Sequence, residues 1–205
     1  MATKPTAKPS ARERLLTAAD ELFYEEGVHT VGIDRVIEKA GVAKASLYST
    51  FGSKEELVGA YLQLRAERRQ RRISERLARI EDPRQRILAV FDVLGDVAAE
   101  PGFRGCAFVN ASAEGPRGET KVASASADMR GWLRALFTDL AHAAGAADPA
   151  RLAGELVLLY DGATVGAAMD RDPSRARVAR TVAARLLDVE APSERRKRRS
   201  ASDRA

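Results

Sequence analysis

Glycines at 27, 41 and 52 cut the start of the chain into segments of helical length, most of them carrying apolar side chains at three- and four-residue steps. Between Arg12 and Gly27, the residues Leu15, Leu16, Ala19, Leu22 and Phe23 fall on one helical face, and Ser10 is placed to cap its start. Ile33, Val36, Ile37 and Ala40 form the inward face of a second, short helix that Gly41 ends. A third fits Lys44 to Phe51, stopped by Gly52. Ser53 then opens a fourth helix from about Lys54 to Ile80, with Glu56 at the spacing of a capping box. No stretch alternates polar and apolar residues as a half-buried strand does. This punctuation commits the chain to an all-α fold.

The rest reads the same way. Pro83 opens a helix to about Ala99, and "EPGFRG" breaks it. "CAFVNASAE", residues 106–114, is a short apolar helix ending at "GPRG". Residues 119–144 make a long helix around Met129, Trp132, Leu133, Leu136, Phe137 and Leu140. Residues 149–170 form an apolar helix rich in small side chains, and 174–189 form the last, after "DPS". About nine helices result, with no internal repeat. A chain of 205 residues holds one domain or two. The boundaries expected are a disordered basic arm over 1–9, a three-helix domain over 10–54, a larger helical domain over 55–190 and a disordered basic tail over 191–205.

Composition narrows the function classes. A 45% hydrophobic content supports a sizeable core, while only 5% aromatic residues, with Ala and Leu abundant, favours helices over strands. The net charge of +5 suits a polyanionic partner. One cysteine excludes an internal disulfide framework and points to a reducing cytosol. No run is expected to reach the roughly 20 apolar residues of a membrane span, and "MATKPTAKPSARER" lacks the apolar centre of a signal peptide. A soluble, cytoplasmic protein is expected. No Ser/His/Asp order, phosphate loop or metal cluster supports an enzyme, and no cofactor is expected. His29 and His142 have no ligand spacing to Cys106.

The paired helices at 33–40 and 44–51, joined through Gly41, have the helix-turn-helix plan. The second fits the major groove of B-DNA. Short side chains at Ala43, Ala45 and Ser46 allow close approach. Lys44 offers a cation to phosphate or guanine, Ser49 and Thr50 offer hydrogen bonds, and Tyr48 carries a hydroxyl on a rigid arm. Arg35 is a further cation on the first helix of the pair. Lys54, at the capped start of the fourth helix, makes an anion site. Leu47 and Phe51 share a face and are expected to anchor the recognition helix. On spacing alone, an ordinary helical hairpin with a solvated lysine face reads as well.

Resemblance separates the two. "RLLTAADELFYEEGVHTVGIDRVIEKAGVAKASLYSTFGSKEELVGAYL", residues 14–62, resembles the N-terminal domain of the tetracycline-repressor (TetR) family of bacterial transcriptional regulators. The residues that carry it are Ala40-Gly41-Val42, Leu47-Tyr48, Phe51 and "SKEEL" at 53–57. The chain departs from the family at Val31 and Gly32, where a Thr-Thr or Thr-Ser pair usually opens the second helix, and at Thr50, where a histidine is common. The resemblance implies a homodimer on a palindromic double-stranded DNA operator, usually as a repressor. It also implies a ligand in the C-terminal domain that shifts the recognition helices and releases DNA. Both half-sites must then lie about one helical turn or a multiple apart.

In the C-terminal region, Phe91, Leu94, Phe103, Cys106, Phe108, Trp132, Phe137 and Tyr160 hold much of the remaining aromatic content. Asn110 and the Tyr160 hydroxyl are candidate orienting groups for a small apolar or aromatic effector. Residue by residue, plain core packing reads as well; the resemblance favours a pocket. Cys106 is a candidate redox switch, with Arg104 its nearest cation in sequence, while buried apolar neighbours would make the same thiol inert. Gly154, Gly162 and Gly166, with Leu158 and Val165, make one helix suited to close approach; Val178, Val182 and Leu186 lie on the last helix. A buried helix within one subunit and a four-helix dimer interface both fit, and the resemblance selects the dimer. Arg65, Arg68, Arg69, Arg71 and Arg72 read as a solvated face, and "RRKRR" at 195–199 as a solvated tail with non-specific DNA affinity as its functional alternative.

Overall fold

The computed structural model describes residues 9–114 and 120–191. Residues 1–8 of the arm expected over 1–9, the "GPRG" break and the expected tail from 192 on, with its arginine run, lie outside the described residues. Within them the chain is helical, and its elements are α1 (Ala11–Glu26), α2 (Ile33–Ala40), α3 (Lys44–Phe51), α4 (Lys54–Leu77), α5 (Pro83–Ala98), α6 (Ala107–Glu114), α7 (Thr120–Ala143), α8 (Pro149–Asp170) and α9 (Ser174–Glu190). No strand occurs among the described residues.

Local chemistry explains the boundaries. Ser10 forms a full capping box with Glu13 at the head of α1. Asp82 and Asp148 cap α5 and α8, each followed by a proline whose missing N–H would have had no helical partner. Gly41 ends α2 at φ 61°, a left-handed conformation that costs glycine nothing, and the Val42 N–H reaches back to the Ile37 carbonyl. Two expectations need correction. α4 stops at Leu77 rather than Ile80, because Arg79 and Ile80 bond to carbonyls only three residues back and tighten the last turn. At Ser53 only half of a capping box forms: its hydroxyl accepts from the Glu56 N–H, while the Glu56 carboxylate pairs with Lys121 at 2.9 Å.

Two compact units result, one comprising residues up to Ala66 with Ala107–Ser126, the other Glu67–Cys106 with the residues from Ala127 on. The first packs α1, α2, α3 and the first half of α4 around Leu15, Leu22, Phe23, Val36, Leu47, Leu57, Tyr61 and Leu62, all buried. In the second, α5, α8 and α9 pack with parts of α4 and α7 around Ile87, Phe91, Phe137, Leu152, Leu156 and Leu187. One described helix, α8, has the length and mean hydropathy (1.2) that a membrane span requires by composition, contrary to the expectation that no stretch does. Its apolarity has a use in the core: Leu152, Leu156, Val157 and Tyr160 are buried there.

Candidate nucleic-acid interface

The recognition helix α3 is split between two environments. Leu47 is fully buried, while Lys44, Ala45, Ser49 and Thr50 are exposed and Tyr48 keeps 46% of its surface. One apolar knob thus seats the helix, and the polar face stays outward. Phe51, expected to share the anchoring, is only half-buried; the Arg12 guanidinium lies 5.6 Å from its ring centre. Ile33 and Ile37 are likewise half-buried, and Val36 and Ala40 carry the inward face of α2.

Several anchors sit far apart in sequence, and sequence reading missed them. Arg14 on α1 donates to the Ala40 and Gly41 carbonyls, at 3.3 and 2.9 Å, so it caps the end of α2 and pins the turn to α1. Asp20, buried on α1, accepts from Arg65 of α4 at 2.5 Å, and that guanidinium stands 3.8 Å from the Tyr24 ring centre. Burial pushes the neighbouring Tyr61 hydroxyl well above its ordinary range. Gly27 bends the chain after α1 at φ 100°; the Glu114 carboxylate of α6 lies against it and accepts from the His29 N–H at 3.2 Å.

The cations of α2 and α3 are matched with carboxylates. Arg35 makes two hydrogen bonds to Glu26, Lys39 pairs with Glu21 at 2.8 Å, and Lys44 pairs with Asp34 at 2.9 Å. The Asp34 carboxylate, by hydrogen bond first and by charge second, holds the Lys44 ammonium above the ordinary lysine range. Glu26 is held below the carboxylate range by its bond to Arg35. The Ser49 and Thr50 hydroxyls fold back onto the Ser46 carbonyl at 3.2 and 2.6 Å, which leaves their lone pairs outward.

Helix starts on this face are bare. Gly32 and Ala43 stand at the caps of α2 and α3 and supply no side-chain oxygen, so first-turn N–H groups remain for water or phosphate. Val31, in the place of the hydroxyl usual in the family, is fully buried and Thr30 is exposed. Lys54, at the start of α4, has no ion-pair partner among the described residues and is half-buried.

In the second unit, Phe91, Phe137 and Tyr160 pack together, with ring centres 6.0 and 6.2 Å apart, and Leu94 is buried beside them in the same core. Burial raises the Tyr160 hydroxyl. Phe103 and Trp132 are half-buried. Cys106 is half-buried too, and both terminal nitrogens of Arg69, not Arg104, stand 3.8 Å from its sulfur. Phe108 and Asn110 belong to the first unit, the one buried and the other half-buried. Among the described residues no group of three His, Cys, Asp or Glu side chains could hold a metal.

α8 and α9 carry an uncovered apolar face. Leu158 is 74% exposed and Met169 79% on α8, and Val178 is 56% and Val189 74% exposed on α9. Val165 is exposed between Leu158 and Met169, at the spacing of one helical stripe. Gly162 opens onto empty space along that stripe, Gly154 and Gly166 are half-buried, and Val182 and Leu186 are half-buried on α9.

Comparison with known proteins places these features. Residues 15–61 match the model for bacterial regulatory proteins of the tetR family, and residues 105–192 that for the C-terminal region of BetI-type transcriptional repressors. The transcriptional activator FasR of Mycolicibacterium smegmatis is 38% identical over 85 residues, 42% of this chain; the chain spans 39% of that curated relative's length. A TetR-family transcriptional regulator from Streptomyces coelicolor is 32% identical at a TM-score of 0.83, over 89% of this chain and 96% of that one. The cysteine mutant of CifR, a TetR-family regulator solved with a 26 bp operator duplex, shares the fold at 22% identity, with a TM-score of 0.75 over 89% of this chain and 98% of that one.

Proposed function

The chain belongs to the TetR family of transcriptional regulators, DNA-binding proteins rather than enzymes, and on that footing we propose that it is a homodimeric repressor that binds a palindromic operator and is released by a small molecule. The observation that carries the reading is the division of α3: Leu47 fully buried, with Lys44, Ala45, Tyr48 and Ser49 outward on the same two turns. Ala43, Ala45 and Ser46 let the helix sink into the major groove, Tyr48 and Lys54 reach phosphates, and the bare starts of α2 and α3 accept the backbone. The CifR complex supports the partner class, double-stranded operator DNA. The repressor assignment draws on the BetI-type match; FasR, an activator, marks the opposite outcome.

Dimerisation through α8 and α9 would cover Leu158, Val165, Met169, Val178 and Val189 and set the two recognition helices at a spacing of about 34–36 Å or a multiple. The effector, small and apolar or aromatic, binds the domain of α5, α7 and α8 near Phe91, Phe103, Trp132 and Tyr160. A ligand that favours a different spacing weakens DNA binding, and DNA weakens ligand binding equally. The protein acts in the cytoplasm. The Arg69–Cys106 contact favours a second reading, in which oxidation at Cys106 rather than a ligand controls binding. Unimpaired control in Cys106→Ser would exclude it.

Selection of bound duplexes from a random pool tests the main reading. A palindrome with half-sites one turn or a multiple apart is expected. Failure to enrich any sequence, or enrichment of a single unrepeated half-site, overturns the dimeric docking. A reporter fused to the recovered operator then distinguishes repression from activation.

A further inference from the structure

The recognition helix carries its cation under the guard of an acid. Asp34, in the first turn of α2, holds Lys44, at the start of α3, by a 2.9 Å ion pair, and both side chains are exposed, at 83% and 60%. Asp34 neutralises no buried charge; in the first turn of α2 it also favours a helix start whose cap, Gly32, offers no side-chain oxygen. Its carboxylate nevertheless stands on the face offered to a polyanion. Arg35 and Lys39, the other cations of the pair of helices, are matched to Glu26 and Glu21 of α1, so Lys44–Asp34 is the ion pair that joins α2 to α3 among the described residues. Electrostatics makes such an acid costly wherever Lys44 meets a phosphate, because the phosphate then faces Asp34 as well. It is tolerated where Lys44 meets a neutral acceptor edge.

An ammonium has three donors. One can stay on Asp34 Oδ1 while the other two serve the O6 and N7 acceptors of guanine, a neutral edge in the major groove. We propose that Asp34 is a positioning residue that sets DNA specificity through Lys44, directing it to a guanine edge and away from backbone phosphates. The inference rests on the docking of α3 given above and deepens it: Lys44 reads a base, and non-specific DNA gains little from it. Phosphate contacts govern non-specific binding, so an acid beside the cation lowers that background and raises the ratio of specific to non-specific affinity.

The test uses the full chain with two duplexes, the operator recovered by selection and a random-sequence control, titrated over a range of salt. Asp34→Asn is expected to raise affinity for the random duplex about three- to fivefold and to steepen its salt slope by about 0.9, one further phosphate contact. Operator affinity should change less, and preference for guanine at one position should weaken. Asp34→Glu should restore the wild-type ratio. Glu38→Gln, an exposed position on the same helix, changes the net charge identically without touching Lys44. If Asp34→Asn merely reproduces Glu38→Gln on both duplexes, the effect is bulk charge and the inference is overturned. Lys44→Ala separates the layers: unchanged affinity for both duplexes refutes the docking itself, whereas lost operator affinity with an inert Asp34 refutes this inference alone.

Discussion

Replacing Leu158 by aspartate tests the assembly on which operator recognition depends. Leu158 is 74% exposed in the protomer, midway along α8, in line with Val165 and Met169. Full burial of a leucine side chain is worth about 2.5 kcal/mol, so covering the exposed three quarters yields roughly 2 kcal/mol. In a two-fold interface the residue counts twice, giving about 4 kcal/mol per dimer. At 1.4 kcal/mol per decade that is about three orders of magnitude in the dimer dissociation constant. A carboxylate at that position adds a desolvation cost on top, so the figure is a lower bound. The protomer itself should be indifferent, because the side chain already faces outward. Sedimentation equilibrium over a wide concentration range should show Leu158→Asp monomeric where the parent is dimeric, with an unchanged helical circular-dichroism spectrum. Operator affinity should fall with it, since two unlinked half-site contacts replace one joined pair. Dissociation constants within threefold of each other would refute α8 as the dimer face, as would a parent chain that is monomeric throughout.

Asp20→Ala removes the buried partner of Arg65 and should cost about 2–3 kcal/mol of stability, less than a wholly buried pair because Arg65 keeps a quarter of its side chain exposed. Urea unfolding reads this, and a loss below about 0.5 kcal/mol would show that the pair contributes nothing net. Gly32→Ser puts a hydroxyl at the cap of α2, where a Cβ meets nothing within 4 Å, and should raise stability by about 0.5–1 kcal/mol. A lowered Tm would contradict the cap geometry; a gain in operator affinity would add a phosphate contact at the position where the family usually has a hydroxyl. Glu13 is held below the ordinary carboxylate range, first by the Ser10 N–H and then by its hydroxyl. Its contribution is therefore present above the unfolded value near 4.5 and lost as pH falls through the lower folded value. Amide exchange in the first turn of α1 should accelerate on acidification, and Glu13→Gln should abolish that pH dependence.

Helix boundaries were legible because they are set locally. Ser10 with Glu13, Asp82 with Pro83, Asp148 with Pro149 and Gly41 each decide a start or a stop within four residues. The fold class followed from the helical repeat and its glycine breaks, whereas the interface helix was singled out by the family resemblance of residues 14–62, because spacing alone fits a plain helical hairpin as well. Where the reading slipped, a nonlocal partner or a graded burial was at work. Glu56 forsook the Ser53 backbone for Lys121, sixty-five positions away in sequence by their numbers. Phe51 looked like an anchor from its spacing, yet it is only partly buried, with the Arg12 guanidinium over its ring.

Period and capping chemistry, both properties of neighbours along the chain, determined from sequence alone that this protein is a series of helices, with a short one beginning near Lys44. Which polar groups meet was decided only in three dimensions: Arg14 on the Gly41 carbonyl, Asp20 on Arg65, Asp34 on Lys44, Arg69 on the Cys106 sulfur. The same is true of which apolar stripes are covered. Leu156 and Leu158 look alike in the sequence of α8, but one is wholly buried and the other faces water. A repeat of 3.6 residues says that a helix has faces; only packing against other helices chooses which face is left over for a partner.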